Sequence, residues 1–107
     1  MKLIVMKFGG TSVGSIDKIN NVANIVEKQL NDRKLIVVLS AMSGVTNKMQ
    51  EYIDEIESNE IIENDLILTS GEAVSVGLLS AILKKRNIKS IPLLAVSYTH
   101  LTLPTKA

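Results

Sequence analysis

The chain contains no cysteine and no tryptophan, and only one histidine, one phenylalanine and two tyrosines among its 107 residues. Without cysteine there is no disulfide and no thiolate metal site. The single histidine, His100, leaves histidine-based zinc chemistry and a Ser-His-Asp triad almost nothing to draw on. Aromatics at 3% withhold the stacking platforms that a binder of single-stranded nucleic acid uses. An excess of one charge is missing too: the net charge is +1, so no strong field draws in nucleic acid or an acidic membrane. The N-terminal apolar run is too short for a signal peptide, and no window reaches the ~18 uninterrupted apolar residues of a membrane span. These absences fit a cytoplasmic protein with neither a nucleic-acid nor a membrane partner.

What is present is ordinary for a folded domain: 46% apolar and 21% charged residues. The length bounds the chain to one domain or a piece of one. Residues 2–8, KLIVMKF, read as a buried strand stopped by Gly9-Gly10. Ser15 is a candidate N-cap for a helix whose apolar stripe is Ile16, Ile19, Val22, Ala23, Val26 and Leu30. A second apolar run, Leu35 to Ala41, suits a strand buried on both faces of a parallel sheet. It ends in a small-residue loop, Ser40 to Gly44. Val45, Met49, Tyr52, Ile53 and Ile56 then mark another amphipathic helix. From Ile61 to Arg86 the pattern is helical with a break expected at Ser70-Gly71, the second part being buried nearly all round. Residues 88–95, IKSIPLLA, predict a third strand, weakened by Pro92. The order predicts an α/β fold: a mostly parallel sheet with helices on both faces.

The stretch KFGGTSVGS, Lys7 to Ser15, carries the first chemical signal. Adjacent glycines let backbone N–H groups approach an anion closely. Thr11 and Ser12 add hydroxyl donors, and the helix dipole beginning near Ser15 faces the same space. Lys7 precedes the glycines, unlike the lysine of a P-loop, and can reach over the turn as a point charge. These are the parts phosphoryl transfer needs. The bland alternative is a strand-to-helix turn whose glycines serve geometry alone. A dinucleotide-binding turn fits less well. It wants G-x-G-x-x-G and an acid at the end of the next strand. Here the glycines are Gly9, Gly10 and Gly14, and the strand ends Leu39-Ser40-Ala41. Lys2, Lys18 and the cluster Lys84-Lys85-Arg86 read as solvated charge. Thr69-Ser70-Gly71-Glu72 reads as a capping box before an apolar helix.

Three segments together, KFGGTSVGS, VVLSAMSGVTN and TSGEAVSVGLLSAIL, strongly resemble the aspartate kinases of the amino-acid kinase family, in the same order and at similar separations. The resemblance covers about residues 2–95. It implies ATP-dependent phosphorylation of the aspartate side-chain carboxylate to 4-phosphoaspartate, on the route to lysine, threonine and methionine. It implies that Lys7 contacts the transferring phosphate, and that the turn of Phe8, Gly9, Gly10, Thr11 and Ser12 cradles phosphate. Ser40, in the second loop, is expected to face the same cleft. Thr46 is implied as a contact to L-aspartate and Glu72 as the partner of its amino group; a cap and a ligand remain parallel readings of Glu72. ATP and Mg2+ are the implied cofactors, with no magnesium ligands identifiable, and a homo-oligomeric parent enzyme is implied. Two other readings stay open: a relative with another substrate, and a noncatalytic nucleotide- or anion-binding module.

Family members are much longer, and the second glycine-rich segment that completes their nucleotide site is not found here. The expectation is therefore the front part of a kinase domain over residues 1–96, inactive by itself. The last stretch, SYTHLTLPTKA, lacks periodicity. It resembles a tail that recurs where adaptor DNA is read as protein, so residues 97–107, His100 included, are set aside as an unstructured or artefactual end.

Overall fold

A computed structural model describes residues 2–94. Its elements are strand β1 (Lys2–Phe8), helix α1 (Ile16–Gln29), strand β2 (Arg33–Leu39), helix α2 (Val45–Glu55) and helix α3 (Ile61–Lys85). The two strands pair in parallel, from Lys2 opposite Arg33 to Phe8 opposite Leu39. A parallel pair needs a crossover, and α1 supplies it. The α/β class and the parallel sheet expected from the sequence are both present.

Local signals explain where the elements start and stop. Ser15 adopts extended backbone, and its Oγ accepts a hydrogen bond from the Lys18 N–H at 3.2 Å, the N-cap foreseen. Helices α2 and α3 both end in Schellman motifs. At α2, Glu57 takes φ 55°, and the Ser58 N–H donates to the Ile53 carbonyl. At α3, Asn87 takes φ 62°, and the Ile88 N–H donates to the Leu83 carbonyl at 2.9 Å. Asparagine tolerates the left-handed region better than glutamate does.

The core lies between one face of the sheet and α1 and α3. Val13, Ile19, Val22, Ala23, Val26, Leu39, Leu79 and Leu83 form it, with Phe8, Leu35 and Val37 packed against it. The strands alternate. On the opposite face Leu3, Val5, Ile36 and Val38 stand between 44% and 62% exposed. Among the described residues one face of the sheet is thus covered and the other is open. That is why strands apolar on both sides are only half buried.

Two expectations about the second half are corrected. No break occurs at Ser70-Gly71; α3 is continuous, and Thr69-Ser70-Gly71-Glu72 is not a capping box. The Thr69 hydroxyl donates back to the Asp65 carbonyl and the Ser70 hydroxyl to that of Ile67, both at 2.7 Å, so neither caps a helix start. The helix is also not buried all round. Its buried side is Gly71, Ser75, Leu79, Ser80 and Leu83, while Leu66 and Val74 are about half exposed. By length and composition α3 could cross a membrane. Here it packs along α1, α2 and β2.

The third strand is absent among residues 88–94, and Ala95 lies outside the described residues. The Schellman turn at Asn87 redirects the chain, and Pro92 has no N–H to give a ladder. The Ser90 Oγ sits 2.6 Å from the Ser80 Oγ, which ties this segment to α3 rather than to β2. Arg86 is a further correction. It is not a solvated charge: its Nη1 donates to Asn24 Oδ1 at 2.9 Å and to Glu27 Oε1 at 3.0 Å, linking the end of α3 to α1. The expected domain limit at residue 96 and the tail also lie outside the described residues.

Candidate active site

Because β1 and β2 run in parallel and in register, both end at the same edge. The glycine turn after β1 and the small-residue loop after β2 therefore leave side by side. The Ser40 N–H donates to the Phe8 carbonyl at 3.1 Å, one step beyond the ladder. That bond joins the two loops at their root.

The glycine turn is built from two overlapping turns, Ser12 N–H to the Gly9 carbonyl and Gly14 N–H to that of Thr11. Val13 is fully buried and pins the turn into the core. Sequence reasoning missed this anchor, although one apolar side chain inside an otherwise small and polar loop was a visible signal. With Val13 held down, Gly9, Thr11 and Ser12 remain exposed. A Cβ at Gly9 would meet nothing within 4 Å. The outer side of the turn is open to an incoming anion.

Gly10 has the opposite surroundings. A Cβ there would come within 2.9 Å of the Ala41 carbonyl oxygen and 3.3 Å of the Ser43 nitrogen. The absence of a side chain lets the first turn lie directly on the second loop. Gly71 plays the same part on the other side: a Cβ would fall 2.7 Å from the Ala41 Cβ and 2.6 Å from Val45 Cγ1. This close approach is why a glycine stands in the interior of α3, where it costs about 1 kcal/mol against alanine. The three segments singled out in the sequence thus meet at one residue, Ala41, which is 5% exposed.

Four side chains singled out in the sequence, Ser40, Thr46, Glu72 and Lys7, lie on or next to the elements that meet here. Ser40 is half-buried at the root of the second loop, and Thr46 is exposed in the first turn of α2. Gly44, at φ 86°, caps that helix in a conformation that favours glycine. Glu72 follows Gly71, is half-buried and lines one cavity with Val38 and Leu39, with no ion pair or hydrogen bond among the described residues. Lys7 stands exposed on the open face of the sheet opposite Val38, likewise without an ion pair among the described residues. Phe8 points the other way, against the core, so it supports the turn through packing and its main chain. The structure brings together Gly10, Ser40, the second loop and Gly71-Glu72. It shows no bond from Lys7 to the turn and none between Thr46 and Glu72.

A cavity of about 1330 Å³ lies elsewhere. It runs along the free edge of β2 toward Ile91 and Leu93 and shares Glu72 with the junction. Its lining mixes apolar side chains of β2 with Arg33, Lys34, Lys84 and Lys89. Among the described residues no three His, Asp or Glu side chains gather to hold a metal ion.

The sequence profile described as the amino acid kinase family matches residues 2–105. The chain belongs to the amino acid kinase family. Among the relatives of this amino acid kinase chain, an aspartate kinase of Pseudomonas putida is 46% identical over 101 residues, covering 92% of the chain and 23% of that protein. An aspartokinase of Rickettsia felis is 41% identical over 100 residues, covering 89% of the chain and 25% of that protein. The solved aspartate kinase from Synechocystis superposes with a TM-score of 0.75 at 36% identity, over 83% of the chain and 16% of that protein. The chain spans about a quarter of the length of the curated relatives it matches.

Proposed function

We propose that this segment forms the phosphate-handling and substrate-holding front of an aspartate kinase. The reaction is transfer of the γ-phosphoryl group of ATP to the side-chain carboxylate of L-aspartate. A carboxylate oxygen forms the new P–O bond, the bond to the β–γ bridging oxygen breaks, and ADP leaves with that electron pair. The products are 4-phosphoaspartate and ADP, with no proton required. The observation that carries the reading is the convergence of the three motif segments on Ala41. It brings the glycine turn, at Gly10, and helix α3, at Gly71, against one small residue.

Each group then has a task. The open turn at Gly9, with Thr11 and Ser12, offers donors to phosphate oxygens. Lys7, on its long flexible stem, supplies positive charge where negative charge spreads during transfer. Ser40 lines the root of the same crevice. Glu72, half-buried and without an ion pair among the described residues, suits the ammonium of an amino-acid substrate, and Thr46 suits its polar rim. Magnesium, expected for such a reaction, would be held chiefly by phosphate oxygens with one or two carboxylates. The reading implies a cytoplasmic biosynthetic enzyme, a homo-oligomer, whose activity requires the remainder of a nucleotide site.

The test joins residues 2–94 to the remaining portion of the Synechocystis aspartate kinase and measures aspartate-dependent release of ADP. The 107-residue chain alone should show none, since catalysis by positioning needs all parts held together. In the active hybrid, Lys7→Ala should lower kcat by about 100-fold or more, with a much smaller change in the KM for ATP. Turnover that survives Lys7→Ala nearly intact would remove Lys7 from the mechanism. Turnover with glutamate and not aspartate would place the chain with another substrate of the family.

A further inference from the structure

The two glycines that touch Ala41 do so from different elements and at different atoms. Gly10, in the turn after β1, lies against its carbonyl oxygen. Gly71, in the middle of α3, lies against its Cβ. Ala41 is 5% exposed and follows Ser40, whose N–H is tied to β1, so it has little room to retreat from either. Among the described residues, no hydrogen bond or ion pair joins the turn of residues 9–15 directly to α3. Val13 shares the core with Leu79 and Leu83 of α3, and Ser43 and Val45 flank the junction, but Ala41 is the residue that both glycines approach.

We propose that Ala41 is a positioning residue: its thickness, gripped between Gly10 and Gly71, sets the separation between the phosphate turn and the Glu72 carboxylate. This rests on the reading of those two groups as the phosphate and substrate sides of one site. The physical ground is the size of the conflict that any added atom would create. A methyl at Gly71 would need to move from 2.7 Å to an ordinary contact of 3.4–4 Å from the Ala41 Cβ, a displacement of about 0.7 Å or more. Val45 Cγ1 can yield by rotating, although a β-branched side chain on a helix has one strongly preferred rotamer. The Ala41 Cβ is fixed to the main chain and cannot rotate away. The displacement therefore passes into the second loop, and from its carbonyl into Gly10. Misplacement of reacting groups by about 1 Å costs on the order of 100-fold in rate.

The coupling is read without ligand, in amide spectra of the 107-residue chain. Gly71→Ala should shift the amide resonances of Gly9 to Ser12, about sixty positions away in sequence. The same substitution on an Ala41→Gly/Val45→Ala background, which clears both conflicting atoms, should return them. Shifts confined to α3 and the start of α2 would overturn the proposal. If Gly71→Ala alone does not fold, Ala41→Gly decides: loosening the grip should speed amide exchange at Gly10 to Ser12, and unchanged exchange would overturn it. The catalytic half is read in the Synechocystis hybrid. There Gly71→Ala should lower kcat by about 10- to 100-fold. The KM for ATP should stay within about twofold, and the cleared background should restore kcat. A kcat that does not recover while the turn resonances do would overturn the positioning role. An inactive parent hybrid, alongside Gly71→Ala shifts at Gly9 to Ser12 in the 107-residue chain, would instead refute the functional reading, and with it the role of Ala41 in catalysis.

Discussion

Val22 and Val74 offer one chemical change in two environments. Both lie inside helices, but Val22 is 1% exposed and Val74 is 53% exposed. Truncation to alanine removes two carbons, worth about 0.8 kcal/mol each when buried. At Val22 that is about 1.6 kcal/mol, to which an incompletely collapsed cavity adds. Alanine returns up to about 0.5 kcal/mol of helix propensity at either site. Val22→Ala should therefore cost about 2 kcal/mol. At Val74 half of the side chain is already in water, so the transfer loss is about 0.8 kcal/mol at most, and the propensity gain cancels most of it. Val74→Ala should change stability by a few tenths of a kcal/mol. Urea unfolding followed by circular dichroism separates the two. With an m-value of about 1.5 kcal/mol/M, the midpoint should fall by about 1 M for Val22→Ala and hardly move for Val74→Ala. Equal losses at the two sites would refute the reasoning. They would mean that the outer side of α3 is covered in solution, by a second copy or by residues outside 2–94.

Ser15→Ala should destabilise the chain by about 1 kcal/mol through loss of the α1 cap, measurable in the same unfolding experiment, while Ser15→Asp should not. Glu57→Gly should raise stability by about 0.5–1 kcal/mol, because it relieves a left-handed glutamate at the end of α2; a loss would show that the Glu57 side chain holds something. Arg86→Ala should cost roughly 0.5–1 kcal/mol, a modest figure because Glu27 is 53% exposed. A double-mutant cycle with Glu27→Ala should recover only the part due to that pair, leaving the contribution of Asn24.

Much of the first half was legible in the sequence because its signals are local. The β1 run, the Ser15 cap, the α1 stripe and the small-residue loop after β2 each announce themselves within a few residues. The site was legible as three motifs, yet not as a junction. Nothing in Gly10 or Gly71 shows which backbone lies against it. Gly71 misled for this reason: a glycine after Thr-Ser and before Glu reads as a boundary, and only the contact with Ala41 and Val45 explains it inside a continuous helix. The missing third strand is a nonlocal outcome too. Apolar residues 88–94 carry strand-like composition, but a left-handed Asn87 and a serine pair decide where the chain goes. Burial failed for a similar reason. Apolar strands foretell two covered faces, and the described residues supply a cover for one.

The constant offset of the ladder has a kinetic consequence. Every partner in β2 lies 31 positions beyond its mate in β1, so all seven pairs close the same loop. The chain meets that entropic barrier, about 3 kcal/mol by polymer scaling, once and not seven times. Docking of α1 onto the nascent strand is the natural moment for it, since the helix lies wholly inside the loop. Zipping should then be fast and all-or-none, with Val22 already committed when the first rung forms.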